Sequence, residues 1–245
     1  MMCGLWAVYY RELLLMRQRW FRMLVAMAVA PLLYLVTFGL GLGQGVRVEG
    51  AAYALFLLPG LMALSSMQQA FSLAGEINIA RFYFKIFEVF QASPLPPAAW
   101  VLAEVWAGMT RALLAALLVA ALALAFGYPV PPDPLLGLAV LLNGFFFASL
   151  AVAMAMLVRS HQDQGLLVSF LITPMAFLGG TFFSPAGLPP WANTLLDLLP
   201  LTHAARTIRQ AWLGQQVELW RLGVLATLGL AAFLLATWLT RKAND

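Results

Sequence analysis

Apolar residues fill long uninterrupted stretches of this chain, and charged residues stand between those stretches. A membrane-spanning helix needs about 20 consecutive apolar residues, and the pattern contains six segments of that kind. We therefore predict six spans. Their approximate bounds are 23–46, 51–75, 98–128, 134–158, 164–183 and 219–240.

The apolar run that begins at residue 164 continues to residue 196, which is too long for one span. Glycines and prolines interrupt its second half, and a proline ends a helix because it lacks an N–H and clashes with the preceding turn. We predict two short helices there, at 192–199 and 202–213. Irregular backbone inside a membrane requires protein or water to satisfy its polar groups, so these helices are predicted to form a re-entrant hairpin.

The segment from Arg81 to Pro97 interrupts the apolar pattern but is too short to cross a bilayer. Its polar residues recur at helical spacing and form one stripe, whereas its other faces are aromatic and aliphatic. The stripe consists of Arg81, Lys85, Glu88 and Gln91. Prolines at the end of the segment terminate the helix. We predict a short helix that lies on the membrane surface or contacts a partner protein.

The first 22 residues form another amphipathic element, in which Trp6 and Tyr10 lie beside Arg11 and Arg17. Basic helices with an aromatic face lie in the plane of the membrane interface. The predicted organisation is therefore an interface helix at 1–22, followed by a single transmembrane domain at 23–245.

The composition agrees with this pattern, because 63% of the residues are hydrophobic and 10% are charged. Soluble domains carry about 25% charged residues, so the fold class is an all-α integral membrane protein. The net charge of +4 arises from basic residues at span ends, and such residues determine the orientation of the spans in the membrane. Because they are scattered along the chain, we expect no nucleic-acid partner. Cys3 is the only cysteine, which excludes an intrachain disulfide and a cysteine-based metal cluster.

Lysine and arginine residues near the span ends are more numerous on the side of the N-terminus. That side carries Arg11, Arg17, Arg19, Arg22, Arg81, Lys85, Arg159, Arg241 and Lys242, and the other carries Arg47, Arg206, Arg209 and Arg221. Cytoplasmic loops carry the basic excess. We therefore expect both termini and the Arg81–Pro97 segment in the cytoplasm, with the hairpin on the outer side.

Several patterns of catalytic sites are missing from the sequence. Neither lysine follows a glycine, so there is no P-loop, and we expect the chain not to be an enzyme. No H-E-x-x-H occurs, and His161 and His203 are expected on opposite sides of the membrane, so no metal site is expected. His203 is expected to cap a helix. A lipid-modifying enzyme that uses His161, Asp163 or His203 is the weaker alternative.

Glu76, Glu104 and Arg111 are charged residues inside or near predicted spans. Charges at this depth are either paired structurally or used in function. Glu104 and Arg111 share a helix face but are separated along its axis, so each is expected to have a partner on another helix. Structural ion pairing is the favoured interpretation. An ion-coupled secondary carrier that uses Glu104 and Arg111 is the alternative.

Two groups of motifs occur in order across these spans. The first is Phe87-Glu88-Val89-Phe90-Gln91-Ala92-Ser93-Pro94-Leu95, and the second is Gly180-Thr181-Phe182-Phe183-Ser184-Pro185, followed by Leu188-Pro189 and Leu199-Pro200-Leu201-Thr202-His203. Together they resemble the permease subunits of type-2 ABC exporters, close to the branch of nodulation-factor (lipo-oligosaccharide) exporters. The nearly neutral Ile77-Asn78-Ile79-Ala80 departs from the family, whose members commonly carry more charge there.

The resemblance implies an exporter permease in the bacterial inner membrane. Its substrate would be amphiphilic: a lipid-linked or lipo-oligosaccharide, a polysaccharide or a hydrophobic drug. The permease would be a homodimer in contact with membrane lipid and with two ATP-binding cassette subunits. Those subunits would bind ATP and Mg, so no cofactor is expected in this chain.

The resemblance also assigns roles to individual segments. Residues 81–92 would be a coupling helix seated in the ATPase, and residues 5–20 an interface helix beside it. The hairpin would form an external gate. The residues implied are Arg81, Phe84, Lys85, Phe87, Glu88 and Gln91 for coupling, Trp6, Tyr10, Arg11 and Arg17 for the interface helix, and Phe182, Phe183, Pro185, Pro189, Pro200 and His203 for the gate.

Glu88→Pro is predicted to uncouple ATP hydrolysis from transport, because a proline inside the coupling helix breaks the rigid element that transmits motion. The measurement is substrate transport and ATP hydrolysis in reconstituted vesicles. Transport that equals that of the unmodified protein would contradict the assigned role.

Overall fold

A computed structural model describes residues 2–43, 45–48, 50–85, 95–158, 160–184 and 188–242 of the chain. The described part is predominantly helical. Its helices are α1 (Met2–Gln18), α2 (Trp20–Tyr34), α3 (Tyr53–Asn78), α4 (Pro97–Ala125), α5 (Pro134–Leu157), α6 (His161–Leu167), α7 (Thr173–Leu178), α8 (Pro190–Asp197), α9 (Pro200–Trp212) and α10 (Leu219–Lys242). Wider π-helical turns extend α2 through Leu35–Leu42, extend α3 through Ile79–Tyr83 and join α6 to α7 at Val168–Ile172.

Five of these helical segments are long and apolar enough to cross a membrane. They are Trp20–Gly39, Tyr53–Tyr83, Pro97–Ala125, Pro134–Leu157 and Leu219–Lys242, and a shorter apolar helix covers Asp163–Leu178. The structure therefore confirms an all-α membrane protein. The shorter helix overlaps the predicted span 164–183. A two-residue antiparallel pairing of β1 (Arg47–Val48) with β2 (Ala51–Ala52) lies between α2 and α3.

Helix α3 is the centre of the bundle. Most of its side chains are buried, including Phe56, Leu61 and Met67, and it packs against α4, α5 and α9. Helix α2 lies at the periphery, where Val25, Val29 and other apolar side chains remain exposed. The central helix is therefore in contact with both the α4–α5 pair and the short helix α9.

Small residues let α4 and α5 approach closely. A Cβ atom built on Gly108 would lie 2.6 Å from the Cβ of Ala148, and one built on Gly144 would lie 2.8 Å from the Cβ of Ala112. Membrane helices associate through such close contacts, because the surrounding lipid tails are as apolar as the helices and no hydrophobic effect drives them together. Asn143 adds a polar link by donating from Nδ2 to Ser66 Oγ at 2.8 Å on α3.

The helix predicted from Arg81 to Ala92 is wrong at its start. Arg81 belongs to the π-helical end of α3, and that helix ends at Tyr83. Lys85 follows with a φ of +51°, which lies outside the right-handed helical region. Arg81 and Lys85 therefore do not share a helical stripe. The rest of the predicted helix, residues 86–92, falls outside the described residues.

The first span also begins earlier than predicted. The predicted interface helix ends at residue 22, but α1 ends at Gln18 and α2 begins at Trp20. Arg19 separates them with a ψ of 14°, which departs from regular helix. The boundary between the amphipathic helix and the first span is therefore at Arg19.

Gly144→Leu is predicted to destabilise the protein by about 1–3 kcal/mol, because the added side chain overpacks the contact between α4 and α5. Gly137→Leu on the same helix is the matched control, since a Cβ there meets no atom within 4 Å. Thermal unfolding in detergent measures both. Equal melting temperatures for the two variants would contradict the close packing.

Candidate functional site

Arg111 lies in the middle of α4, and its side chain is 6% exposed. It donates from Nη1 to Glu76 Oε1 at 2.5 Å and from Nη2 to Glu76 Oε2 at 2.6 Å. Nη2 also lies 3.4 Å from Glu12 Oε2. Glu76 is near the end of α3 and Glu12 is on α1, so one guanidinium joins three elements.

This geometry shows that Arg111 forms structural ion pairs, the interpretation that the sequence favoured. The planar guanidinium fork matches a carboxylate with two parallel hydrogen bonds, and a buried charge requires such a partner. The partners of Arg111 are on other helices, as predicted, and Glu104 is not among them. Glu12 is a further member of the site, and its position in an amphipathic helix gives no indication in the sequence of this buried contact.

Glu12 itself is buried between two arginines. Arg111 lies on one side, and Arg11 Nη1 lies 3.6 Å from Glu12 Oε1 on the other. Burial raises the pKa of the Glu12 carboxyl above its ordinary value of 4.5, because the loss of water outweighs the attraction of Arg11 and Arg111, and the Glu76 carboxylate adds to the rise.

A cavity of about 600 Å³ opens beside this ion-pair network. It lies between α1, the start of α2, the end of α3 and the first half of α4. Its residues are Arg11, Glu12, Leu15, Met16, Arg19, Arg22, Met23, Leu73, Glu76, Ile77, Ile79, Ala80, Phe84, Trp100, Glu104 and Arg111. Glu104 is 3% exposed, and no side chain in the described part of the chain forms a hydrogen bond or ion pair with its carboxyl group.

The predicted coupling residues are only partly described. Arg81 turns towards the bundle and donates from Nη1 to the carbonyls of Ala155 and Met156, each at 3.2 Å. It thereby stabilises the C-terminal end of α5, where unpaired carbonyls carry partial negative charge. Phe84 and Lys85 are exposed. Phe87, Glu88 and Gln91 lie outside the described residues.

The predicted interface residues lie along α1. Trp6 packs edge-on against Trp106 of α4, with ring centroids 6.1 Å apart, and Tyr9 forms a hydrogen bond of 2.9 Å with Thr110. Tyr10 and Arg17 remain exposed. Helix α1 is therefore attached to α4 by one aromatic face and leaves its other face open.

A second polar cluster surrounds His203 in α9. His203 Nε2 donates to the carbonyl of Asp197 at 2.8 Å, so it caps the end of α8, as predicted. Its Nδ1 lies 3.4 Å from Arg221 Nη1. Burial lowers the pKa of His203, and nearby Arg221 and Arg206 contribute although hydrogen bonding to Asp197 opposes the shift.

Arg209 is a buried residue whose role the sequence analysis missed. It donates from Nε to the Phe56 carbonyl at 3.3 Å and from Nη2 to the Gly180 carbonyl at 2.8 Å. Its guanidinium also lies 3.7 Å from the Phe56 ring centroid, which adds a cation–π contact. Arg209 therefore fixes α9 to the start of α3 and to the turn after α7.

The predicted gate residues lie near that turn. Tyr53 donates from its hydroxyl to the Phe182 carbonyl at 2.7 Å, and the Phe182 ring packs against Tyr34, 5.1 Å between centroids. Phe183 is partly buried. Pro189 precedes α8 and Pro200 begins α9, where the missing N–H has no cost. Pro185 lies outside the described residues.

His203 and Asp163 lie in separate hydrogen-bonded groups. Asp163 Oδ2 accepts a hydrogen bond from Ser160 Oγ at 2.8 Å, in the cap of α6, whereas His203 is held in the α8–α9 cluster. The side chain of His161 lies outside the described residues. Among the described residues, no group of three His, Cys, Asp or Glu side chains could hold a metal ion.

Comparison with known proteins places these features in a family context. The sequence profile described as ABC-2 type transporter matches residues 4–213. The chain is 28% identical to the inner membrane transport permease YadH of Escherichia coli (strain K12), over 85% of this chain and 82% of that protein. It is 35% identical to nodulation protein J of Sinorhizobium fredii, over 72% and 69%. It is 30% identical to nodulation protein J of Rhizobium leguminosarum bv. viciae, over 96% and 93%.

Arg111→Met is predicted to destabilise the folded protein by about 3 kcal/mol, because it removes the buried cation that Glu12 and Glu76 share and leaves only Arg11 beside the buried Glu12 carboxylate. Adding Glu12→Gln to this variant recovers part of the loss. Unfolding in detergent, followed by tryptophan fluorescence, measures both. Arg47→Met, at an exposed position, is the control, and a loss of equal size there would contradict the structural role of Arg111.

The raised pKa of Glu12 predicts a pH dependence of stability. The folded state holds this proton more tightly than the unfolded chain, so the stabilisation is present below about pH 4.5 and is lost as the pH rises through the folded-state pKa. The measurement is the difference in unfolding free energy between the unmodified protein and Glu12→Gln across this range. A difference that does not change with pH would contradict the burial of this carboxyl.

Proposed function

This chain belongs to the ABC-2 type transporter family and is the permease subunit of an ABC exporter, and we propose that it works as a homodimer with two separate ATP-binding cassette subunits. ATP and Mg bind to those subunits, because this sequence has no P-loop. The exported molecule is an amphiphile, such as a lipid-linked or lipo-oligosaccharide, a polysaccharide or a hydrophobic drug. Support for this class comes from the motifs that resemble those of nodulation-factor exporters and from the similarity to nodulation protein J.

We propose that six segments cross the inner membrane. The sixth is the continuous helical stretch from α6 to α7, at residues 161–178, whose 18 residues rise about 27 Å, close to the hydrocarbon thickness of about 30 Å. Both termini are then cytoplasmic, in agreement with the distribution of basic residues. Helices α8 and α9 form the external re-entrant gate.

The observation that carries the mechanism is the ion-pair network of Arg111, Glu76 and Glu12. Glu76 lies on α3 before the coupling segment 81–92, Arg111 lies on α4 after it, and Glu12 lies on α1. A displacement of the coupling segment would therefore move α1, α3 and α4 together, because ion pairs connect these three helices. ATP-driven closure of the partner subunits shifts the permease between two arrangements, provided that these contacts hold the elements together.

The ion-coupled carrier is the second candidate, and the unpaired Glu104 carboxyl in its cavity is the feature that favours it. Arg111 does not support it in the same way, because both terminal nitrogens are committed to Glu76 and Glu12. Transport that continues after ATP is removed and stops when the ion gradient is collapsed would establish the carrier.

The proposed assembly predicts that the tagged chain, extracted gently from its native membrane, carries a P-loop ATPase with it. The partner is expected at a 1:1 subunit ratio, with ATP hydrolysis that vanadate inhibits. Mass spectrometry and an ATPase assay of the same eluate measure this. A pure chain without ATPase activity, obtained under conditions that preserve its dimer, would contradict the assembly.

A further inference from the structure

The cavity beside Glu104 combines three features that a single ligand would have to match. Its walls are mainly apolar, with Leu15, Met16 and Ile77 among them. A buried carboxyl group and several arginines also line this cavity. The volume of about 600 Å³ falls within the range of small-molecule sites in proteins.

Glu104 is the buried carboxyl group of this cavity. It is 3% exposed and lines the cavity, and no hydrogen-bond donor in the described chain reaches its carboxyl group. A buried carboxylate without a counter-ion is unfavourable. Arg11 and Arg111 are close enough to attract the Glu104 carboxylate, but Arg11 is paired with Glu12, and Arg111 is paired with Glu76 and Glu12. A ligand with an ammonium group would supply the missing partner.

Trp100 and Phe84 give that position aromatic neighbours. Trp100 precedes Glu104 by four residues on α4, so the two side chains lie on one helix face, and both line the cavity together with Phe84. Aromatic faces attract cations. The surroundings of Glu104 therefore suit a cation better than a neutral group.

Arg19 and Arg22 are two of the arginines that line this cavity. Both line the cavity, both are exposed, and neither has an ion-pair partner within the described ranges. Arginine recognises phosphate through its planar fork. The remaining charged groups at the cavity, Arg11, Glu12, Glu76 and Arg111, already belong to the ion-pair network.

The position of the cavity fits a membrane lipid. Helix α3 rises about 35 Å between Tyr53 and Glu76, slightly more than the hydrocarbon core of a bilayer. Glu76 and the cavity beside it therefore lie at the level of the lipid headgroups at one face of the membrane. Lipid headgroups present phosphate at this level and acyl chains directly beside it.

We propose that this cavity binds a phospholipid with an ethanolamine headgroup. The ammonium group pairs with Glu104, the phosphate lies between Arg19 and Arg22, and part of an acyl chain covers the apolar wall. A primary ammonium donates hydrogen bonds to the carboxylate, whereas a choline headgroup has no N–H to donate. The site adjoins the proposed ATPase contact, since Phe84 lines the cavity, but binding of lipid to the purified chain does not require an ATPase.

The test is a lipid titration of the purified full-length chain, followed by native mass spectrometry. Phosphatidylethanolamine, phosphatidylcholine and phosphatidylglycerol with identical acyl chains are the probes. We expect phosphatidylethanolamine to bind about tenfold more tightly than the other two, the value of one charged hydrogen bond. Glu104→Gln removes this preference and leaves the other two affinities unchanged, whereas Glu218→Gln, distant in sequence and outside the cavity, retains it.

Other outcomes contradict the proposal. Equal binding of the three lipids, tighter binding of phosphatidylglycerol, or a preference that persists in Glu104→Gln would each overturn it. Tight binding of dodecylammonium without binding of phosphatidylethanolamine would assign the site to a free amphiphilic amine instead of a lipid. Quenching of Trp100 by brominated phosphatidylethanolamine, lost in Trp100→Phe, provides a second measurement that does not require the Glu104 variant to fold.

Discussion

A guanidinium group cannot remain buried without partners, and this constraint organises one end of the molecule. Arg111 meets it by binding Glu76 through both terminal nitrogens and by approaching Glu12. The cost of separating these groups opposes any movement of α1, α3 or α4 relative to the others. The segment expected to receive force from an ATPase connects two of these helices, so under the proposed mechanism the network would convert a local displacement into movement of the bundle.

The rest of the bundle is also held together by close packing and by polar contacts. Small residues bring α4 and α5 into close contact, Asn143 links α5 to α3, and Arg81 holds the end of α3 against the end of α5. At the other end, Arg209 fixes α9 to α3. Close-packed elements with committed polar groups move as units, because intermediate arrangements leave buried groups unpaired.

Much of this fold could be predicted from the sequence, and the remainder depends on tertiary contacts. Apolar runs predicted six spans, and five of them match helices long enough to cross a membrane. The separation of Glu104 from Arg111 correctly predicted that Arg111 has partners on other helices, but the partner predicted for Glu104 is not found among the described residues. Periodicity at Arg81 and Lys85 was misleading, because spacing does not reveal that Lys85 adopts a φ of +51°. The roles of Glu12, Asn143 and Arg209 arise from which helices pack together, and one sequence carries no direct signal of that.

Site-specific photo-crosslinking in native membranes tests most directly whether an ATPase acts on this end of the permease. A benzophenone side chain at Tyr83, which is 86% exposed at the end of α3, probes the expected contact, and the same group at the exposed Trp191 of α8 probes the opposite end. The account predicts a crosslink from Tyr83 to a P-loop ATPase and none from Trp191. Crosslinks to that ATPase from Trp191 but not from Tyr83 would contradict it.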